Sequence, residues 1–195
     1  MNKISEFVVK AARELHKAGI SFRTFRSSIC NEKYWNRTNE GGFLLREDAK
    51  PSEAIKDIYN NGHKYGTECA TAIVIVFYRA AAYALSEEQF NNRFSSIYLM
   101  NWRRVDRDLK LRYYEQVPQY LPGDCRYFKN PEVNPLTPQW QGENVIDLGD
   151  GTYYGHGIGI TNAEGIINAL NSNRRSGATK SAYLHDSVTR MELQV

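Results

Sequence analysis

Three features of the sequence predict a fold of mixed helices and strands. An apolar run from Ala70 to Leu85 suits a buried helix, an Asp-Gly turn between two alternating runs suits an antiparallel hairpin, and the N-terminal stretch repeats apolar residues at three-to-four spacing. A length of 195 residues, against roughly 150 per domain, predicts a single domain spanning 1–195. Apolar residues at 42% and aromatics at 12% supply enough core to exclude wholesale disorder. A formal net charge of +3 is too mild for a chain whose main partner is a nucleic acid. The three cysteines, Cys30, Cys69 and Cys125, are odd in number and widely spaced, so reduced thiols are expected rather than a disulfide framework or paired zinc ligands. Charged residues return at Lys10, Arg13 and Glu14, which predicts no signal peptide and synthesis in the cytoplasm. Arg79 interrupts the longest apolar run, which is too short to span a bilayer.

In chain order, Phe7, Val8, Ala11, Ala12 and Leu15 predict an amphipathic helix over 5–17, capped by Ser5 and ended by Gly19. Residues 20–48 mix aromatics with Asn, Ser and a Gly41-Gly42 pair, without a period, and read as loops with short strands. Pro51 opens a second helix, which Asn60-Asn61-Gly62 closes. The β-branched cluster Ile73 to Val76 favours a strand by itself, but the length of the apolar run and its alanines favour a buried helix. Ser86 and Gln89 form a capping box for a short helix through Phe94. Strands are expected at Ile97 to Trp102 and Cys125 to Phe128. Between them lies a charged segment whose basic residues, Arg103, Arg104, Arg107, Lys110 and Arg112, read as a solvated face. Prolines make 130–138 a structureless connection. Glu143 to Leu148 and Thr152 to Ile160 are the two runs of the hairpin, Thr161 with Glu164 offers another capping box, and Ser181 to Leu193 adds a final strand.

Cys69 falls in the first turn of the buried helix, behind Gly66 and Thr67 as loop and capping residues. Free N–H groups and the positive end of the helix dipole favour a thiolate there and could hold an oxyanion. The plainer reading is a small thiol filling space. If the hairpin loop has two or four residues, Val145 faces His156 and Glu143 faces Ile158, which puts Glu143 and His156 on one sheet face as diagonal neighbours; a three-residue loop puts them on opposite faces. A cysteine at a helix start with a carboxylate and an imidazole from adjacent strands is what thiol acyl-transfer chemistry requires. Singly, Glu143 reads as an exposed strand residue and His156 as a turn histidine.

Four blocks then carry a resemblance: Gly66-Thr-Glu-Cys-Ala-Thr-Ala-Ile-Val-Ile, Gly123-Asp-Cys-Arg-Tyr-Phe-Lys-Asn-Pro-Glu132, Gln139-Trp-Gln-Gly-Glu-Asn-Val-Ile146 and Gly155-His-Gly-Ile-Gly-Ile160. With Ser181-Ala-Tyr-Leu184 they closely resemble the small transglutaminases of bacterial spores, from about residue 5 to the end. The resemblance implies an α+β fold similar to the papain-like and NlpC-P60-like cell-wall peptidases, with a central antiparallel sheet packed on the cysteine-bearing helix. It implies no metal, calcium included, and no cofactor. It implies a monomer made in the mother cell that joins glutamine and lysine side chains of spore-coat proteins through a cysteinyl thioester, releasing ammonia. Carried over by motif, Cys69 is the nucleophile, Glu143 its main partner, Glu68 a partly redundant second carboxylate, and His156 completes the group. A Cys69–Glu143 pair, with the thiol proton resting on a carboxyl of raised pKa, is the preferred arrangement. The chain begins closer to its first helix than is usual in that family, which leaves the role of the family's extra N-terminal segment open.

Trp102 and Trp140 are expected to line a passage for the two long side chains, with ordinary core packing as the equal alternative. A papain-like peptidase or amidase differs only in using water as acceptor, and a coat component without turnover would not need Cys69. Cys125 is the alternative nucleophile, weakened by its place in a strand-like run with no helix start behind it.

Overall fold

The computed structural model describes residues 1–195. The helices are α1 (Lys3–Ala18), α2 (Pro51–Asn60), α3 (Cys69–Ala84), α4 (Glu87–Arg93) and α5 (Ala163–Asn171). The strands are β1 (Ser21–Phe22), β2 (Trp35–Arg37), β3 (Phe43–Leu45), β4 (Gly66–Thr67), β5 (Tyr98–Leu99), β6 (Leu111–Tyr114), β7 (Cys125–Lys129), β8 (Gly142–Asp147), β9 (Thr152–Gly155), β10 (Gly159–Asn162) and β11 (Tyr183–Met191). Strands β10-β9-β8-β7-β11-β6 form one antiparallel sheet, β2-β3-β5 a smaller one, and β1 pairs in parallel with β4.

The centre is α3, where Ile73, Val74, Ile75, Val76 and Phe77 are fully buried. Each such side chain stabilises the fold by about 1.5–3 kcal/mol. A β-branched residue in a helix costs at most about 0.7 kcal/mol, so burial decides and the cluster is helical. Around α3 lie the apolar face of α1, the helix α2, and the sheet residues Cys125, Ile146 and Tyr154. A second, smaller core of Phe128, Val145, Ile166, Leu170 and Ala182 joins the sheet to α5. Adjacent residues Val145 and Ile146 thus serve different cores, as strand alternation requires.

Several helix starts fall away from the expected capping residues. Asn2, not Ser5, caps α1 by accepting the Ser5 N–H at 2.8 Å, and Gly19 ends the helix at φ 80° as expected. Asn162, not Thr161, caps α5 by accepting the Gly165 N–H at 2.9 Å. The Ser86/Gln89 capping box is present. The strand expected from Ile97 to Trp102 shortens to β5, because Asn101 turns the chain at φ 53°. The charged segment, read as a solvated face, contains one further strand, β6, which pairs with β11.

The hairpin register overturns the even loop. Val145 stands opposite Gly155 and Ile146 opposite Tyr154, and the Leu148 N–H donates to Thr152 O at 3.0 Å across a loop of Gly149, Asp150 and Gly151. Gly149 and Gly151 have φ 81° and 84°, a left-handed conformation that fits this longer turn. The second run also divides: the chain turns through His156 and Gly157, with Gly157 at φ 95°, before β10 pairs back on β9. His156 therefore lies beyond the end of β9 and does not share a strand face with Glu143.

Candidate active site

Cys69 is the first residue of α3, and the residue before it makes the cap. The Glu68 carboxyl accepts the Ala70 N–H at 2.7 Å through Oε2 and the Thr71 N–H at 2.9 Å through Oε1. Glu68, not Thr67, is therefore the capping residue, and those two N–H groups are engaged rather than free for an oxyanion. Cys69 is 9% exposed. It lines a cavity of about 520 Å³ with Glu68, Thr24, Trp102, Tyr127 and Gln139.

Glu143 enters from β8 and is 1% exposed. Its Oε1 has no hydrogen-bond partner, a costly state for an ionised group. Burial first, and the neighbouring Glu68 charge second, push its carboxyl well above the usual range. Cys69 is pushed up by burial, then by the fields of Glu143 and Glu68; the backbone N–H and side-chain amide of Asn144 oppose this. Burial raises Glu68 as well, against the opposing hydrogen bonds of Thr71 and Ala70. The structure thus gathers Cys69, Glu143 and Glu68 into one electrostatic group, in which full ionisation of all three is strongly disfavoured. Gly155 makes room for it, since a Cβ there would sit 3.1 Å from both Cγ and Oε1 of Glu143.

His156 is held elsewhere. Its Nε2 lies 3.1 Å from Ser21 O and 3.0 Å from Thr67 O, two acceptors that require a proton on that nitrogen. Burial lowers its pKa, which keeps the ring neutral. The ring also leans on Phe22, which stacks on Trp140 with centroids 5.5 Å apart. His156 therefore ties down the β1–β4 pair two residues before Cys69. Replacing it with alanine should lower the melting temperature by about 2–12 °C, from a lost buried hydrogen bond of about 1–3 kcal/mol. The pH–rate profile should keep its shape, and His156→Gln, which retains a donor, should recover part of the loss. A profile that loses one limb at unchanged melting temperature would instead make His156 a proton carrier.

Of the two expected tryptophans, Trp102 lines the thiol cleft. Trp140 packs on Phe22 beside it, while its neighbours Gln139 and Gln141 form the wall. No local signal in the sequence marks Asn144; its Nδ2 donates to Cys69 Sγ at 3.8 Å. Tyr127 stands opposite Asn144 in register and borders the same cleft. A second cavity, of about 770 Å³, shares Trp102, Tyr127 and Asn144 with the first. Cys125 borders that second space, is 4% exposed, and has its thiol pushed up by burial. The Cys30 thiol is pushed up to about 11, by burial and then by Glu32. No three His, Cys, Asp or Glu side chains converge on a metal-sized space, and no helix is long and apolar enough to cross a membrane.

A cysteine at the head of a buried helix, facing an antiparallel sheet that carries its polar partner, places the chain in the papain-like α+β class. Comparison with known proteins narrows the class. Residues 3–195 match the family described as protein-glutamine gamma-glutamyltransferase, and the chain belongs to that family. It is 49% identical over 185 residues to the protein-glutamine gamma-glutamyltransferase of Bacillus cereus strain AH187, and 48% identical over 185 residues to that of Bacillus mycoides strain KBAB4. In both cases 95% of this chain is aligned, and it spans 66% of the relative's length. The solved structure of a transglutaminase from Geobacillus stearothermophilus, without its C-terminal extension, superposes with a TM-score of 0.93 at 50% identity, covering 98% of this chain and 90% of that one.

Proposed function

We propose that the protein transfers the acyl group of a protein-bound glutamine to a lysine amine, forming an isopeptide bond through a thioester on Cys69. The observation that carries this reading is the buried, unpartnered Oε1 of Glu143 beside a thiol at a helix start. The reactive form carries one proton for the two groups: thiolate with carboxylic acid, or thiol with carboxylate. In the first step Cys69 Sγ attacks the glutamine Cδ, the C–N bond breaks, and ammonia leaves with the proton held by Glu143. In the second step the lysine amine attacks the thioester carbonyl, its proton passes to Glu143, and the Cys69 thiolate departs. Asn144 donates to the sulfur throughout, partly offsetting the cost of holding charge in a buried place. Glu68, with both oxygens on backbone N–H groups, tunes the pair's charge while it caps the helix.

The low exposure of Cys69 supports transfer over hydrolysis, because a thioester walled by Trp102 and Tyr127 meets an extended amine more readily than bulk water. The resemblance to spore enzymes supports spore-coat proteins as the source of both side chains, with the chain acting as a monomer without metal. Incubation with a glutamine-containing casein and a fluorescent primary amine tests the reading. Label bound to protein is the expected result; ammonia without label would assign an amidase, and neither product would assign a coat component without turnover.

A further inference from the structure

The basic residues that read as a solvated face in the sequence are gathered by the fold beside the second cavity. Arg107 lines that cavity and also a neighbouring hollow of about 600 Å³, whose rim includes Arg93, Lys110, Arg112 and Glu192. Leu111 is shared in the same way. A continuous surface therefore runs from the thiol cleft, past Trp102, to a rim of four cations. Lys110 is paired with Asp108 at 3.0 Å and Arg112 with Glu192 at 3.3 Å. Arg93 and Arg107 have no carboxylate oxygen within 4.0 Å, and neither has Lys129 on the cavity wall. Asp106 is the one acidic side chain among the cavity's wall residues. The thiol cleft differs: Glu68 is the one carboxyl on its wall, and no Lys, Arg or His lines it.

The rim is held in shape before anything binds. Leu109 is fully buried, the Asp106 side chain accepts the Asp108 N–H at 2.8 Å, and the Asp106 N–H donates to Tyr78 Oη at 3.3 Å. Lys110 completes the turn at φ 55°. Cations fixed by a pinned backbone lose less freedom on binding an anionic partner than cations on a loose loop would.

Building on the transamidation reading, we propose that this rim selects the glutamine donor: it docks a segment carrying Asp or Glu a few residues from the reacting glutamine. The lysine acceptor, itself a cation, is repelled there and approaches through the cleft that holds no cation. An extended chain advances about 3.3 Å per residue, so a donor with its glutamine at Cys69 can lay flanking residues along the cavity toward Arg107. Charge complementarity of this kind acts on encounter and register, and weakens with salt.

The test uses two peptides with one glutamine each, identical except that the aspartates on both sides of the glutamine in one are serines in the other, with a fluorescent primary amine as acceptor. The ratio of their kcat/KM values is measured on the whole chain at low salt and at about 0.5 M salt. A preference of about tenfold for the acidic peptide at low salt is expected, from a few partly exposed pairs, falling toward parity at high salt. Arg107→Glu combined with Lys110→Glu should abolish the preference at low salt, and Arg107→Lys should keep most of it. The readout is a ratio, so a general loss of folded enzyme does not move it. Equal rates for both peptides, or a preference that survives salt and charge reversal, would overturn the docking proposal while leaving transamidation standing. A failure to label either peptide would take down the transamidation reading as well. An acidic preference seen only among lysine acceptors would overturn the assignment to the donor.

Discussion

Cys69→Ala should lose amine incorporation by about 10⁴-fold or more, the scale on which a covalent nucleophile matters when its partners remain in place. The substitution removes one sulfur from the edge of a cavity, so the fold should survive with a shift in melting temperature of a few degrees at most. Paired measurements of labelling and of thermal unfolding separate lost chemistry from lost structure. The same measurement decides against Cys125, which lies in β7 with its thiol on the Arg126 carbonyl at 3.8 Å. Near-normal labelling by Cys69→Ala would dismiss the whole reading.

The second large effect is expected at Glu143. Glu143→Gln keeps the shape of the side chain but cannot hold the shuttled proton, and a general acid-base group of this kind contributes about 10²–10⁴-fold. The sign of the pH dependence follows from the direction of the shift. Below its raised pKa both members of the pair are protonated and no acceptor exists, so the wild-type rate should climb as pH rises, with a midpoint above the ordinary carboxylate value. Glu143→Gln should lack that limb, and adding Glu68→Ala should remove what activity remains. Stability should move the other way. The folded chain holds the Glu143 proton more tightly than the unfolded chain, so the stabilising contribution is complete below the unfolded pKa and lost as pH rises through the folded value. Thermal unfolding at mildly acidic and mildly alkaline pH should therefore show Glu143→Gln gaining on wild type as pH increases. A Glu143→Ala enzyme with wild-type rate and profile would rule the pair out.

The sequence disclosed the parts of this site that depend on local signals. The alanines and the apolar length of 70–85, interrupted only by Arg79 among charged residues, announce a helix despite its β-branched cluster, which puts Cys69 at a helix start. Its capping residue was misplaced by one position, because a glutamate rarely caps and the bonds it makes here become visible only with the turn built. The hairpin was legible from Asp150-Gly151, but its register was not: two, three or four loop residues fit the same letters, and the φ values of Gly149 and Gly151 decide among them. His156 suffered from that error, since one residue of slip exchanges the faces of a strand. Asn144 stayed hidden because its partner, Cys69, lies 75 residues away on another element. β6 is obscured by its charges and owes its existence to β11, a partner some way along the chain near the C-terminus.

The double attachment of Glu68 to the start of α3 ties two duties to one side chain. Should this residue accept a proton in place of Glu143, it must surrender electron density that now anchors Ala70 and Thr71. The backup route therefore loosens the very turn that aims the sulfur. A chain forced to rely on it should trade speed for a frayed helix start, so Glu143→Gln should stay slow even with Glu68 in place.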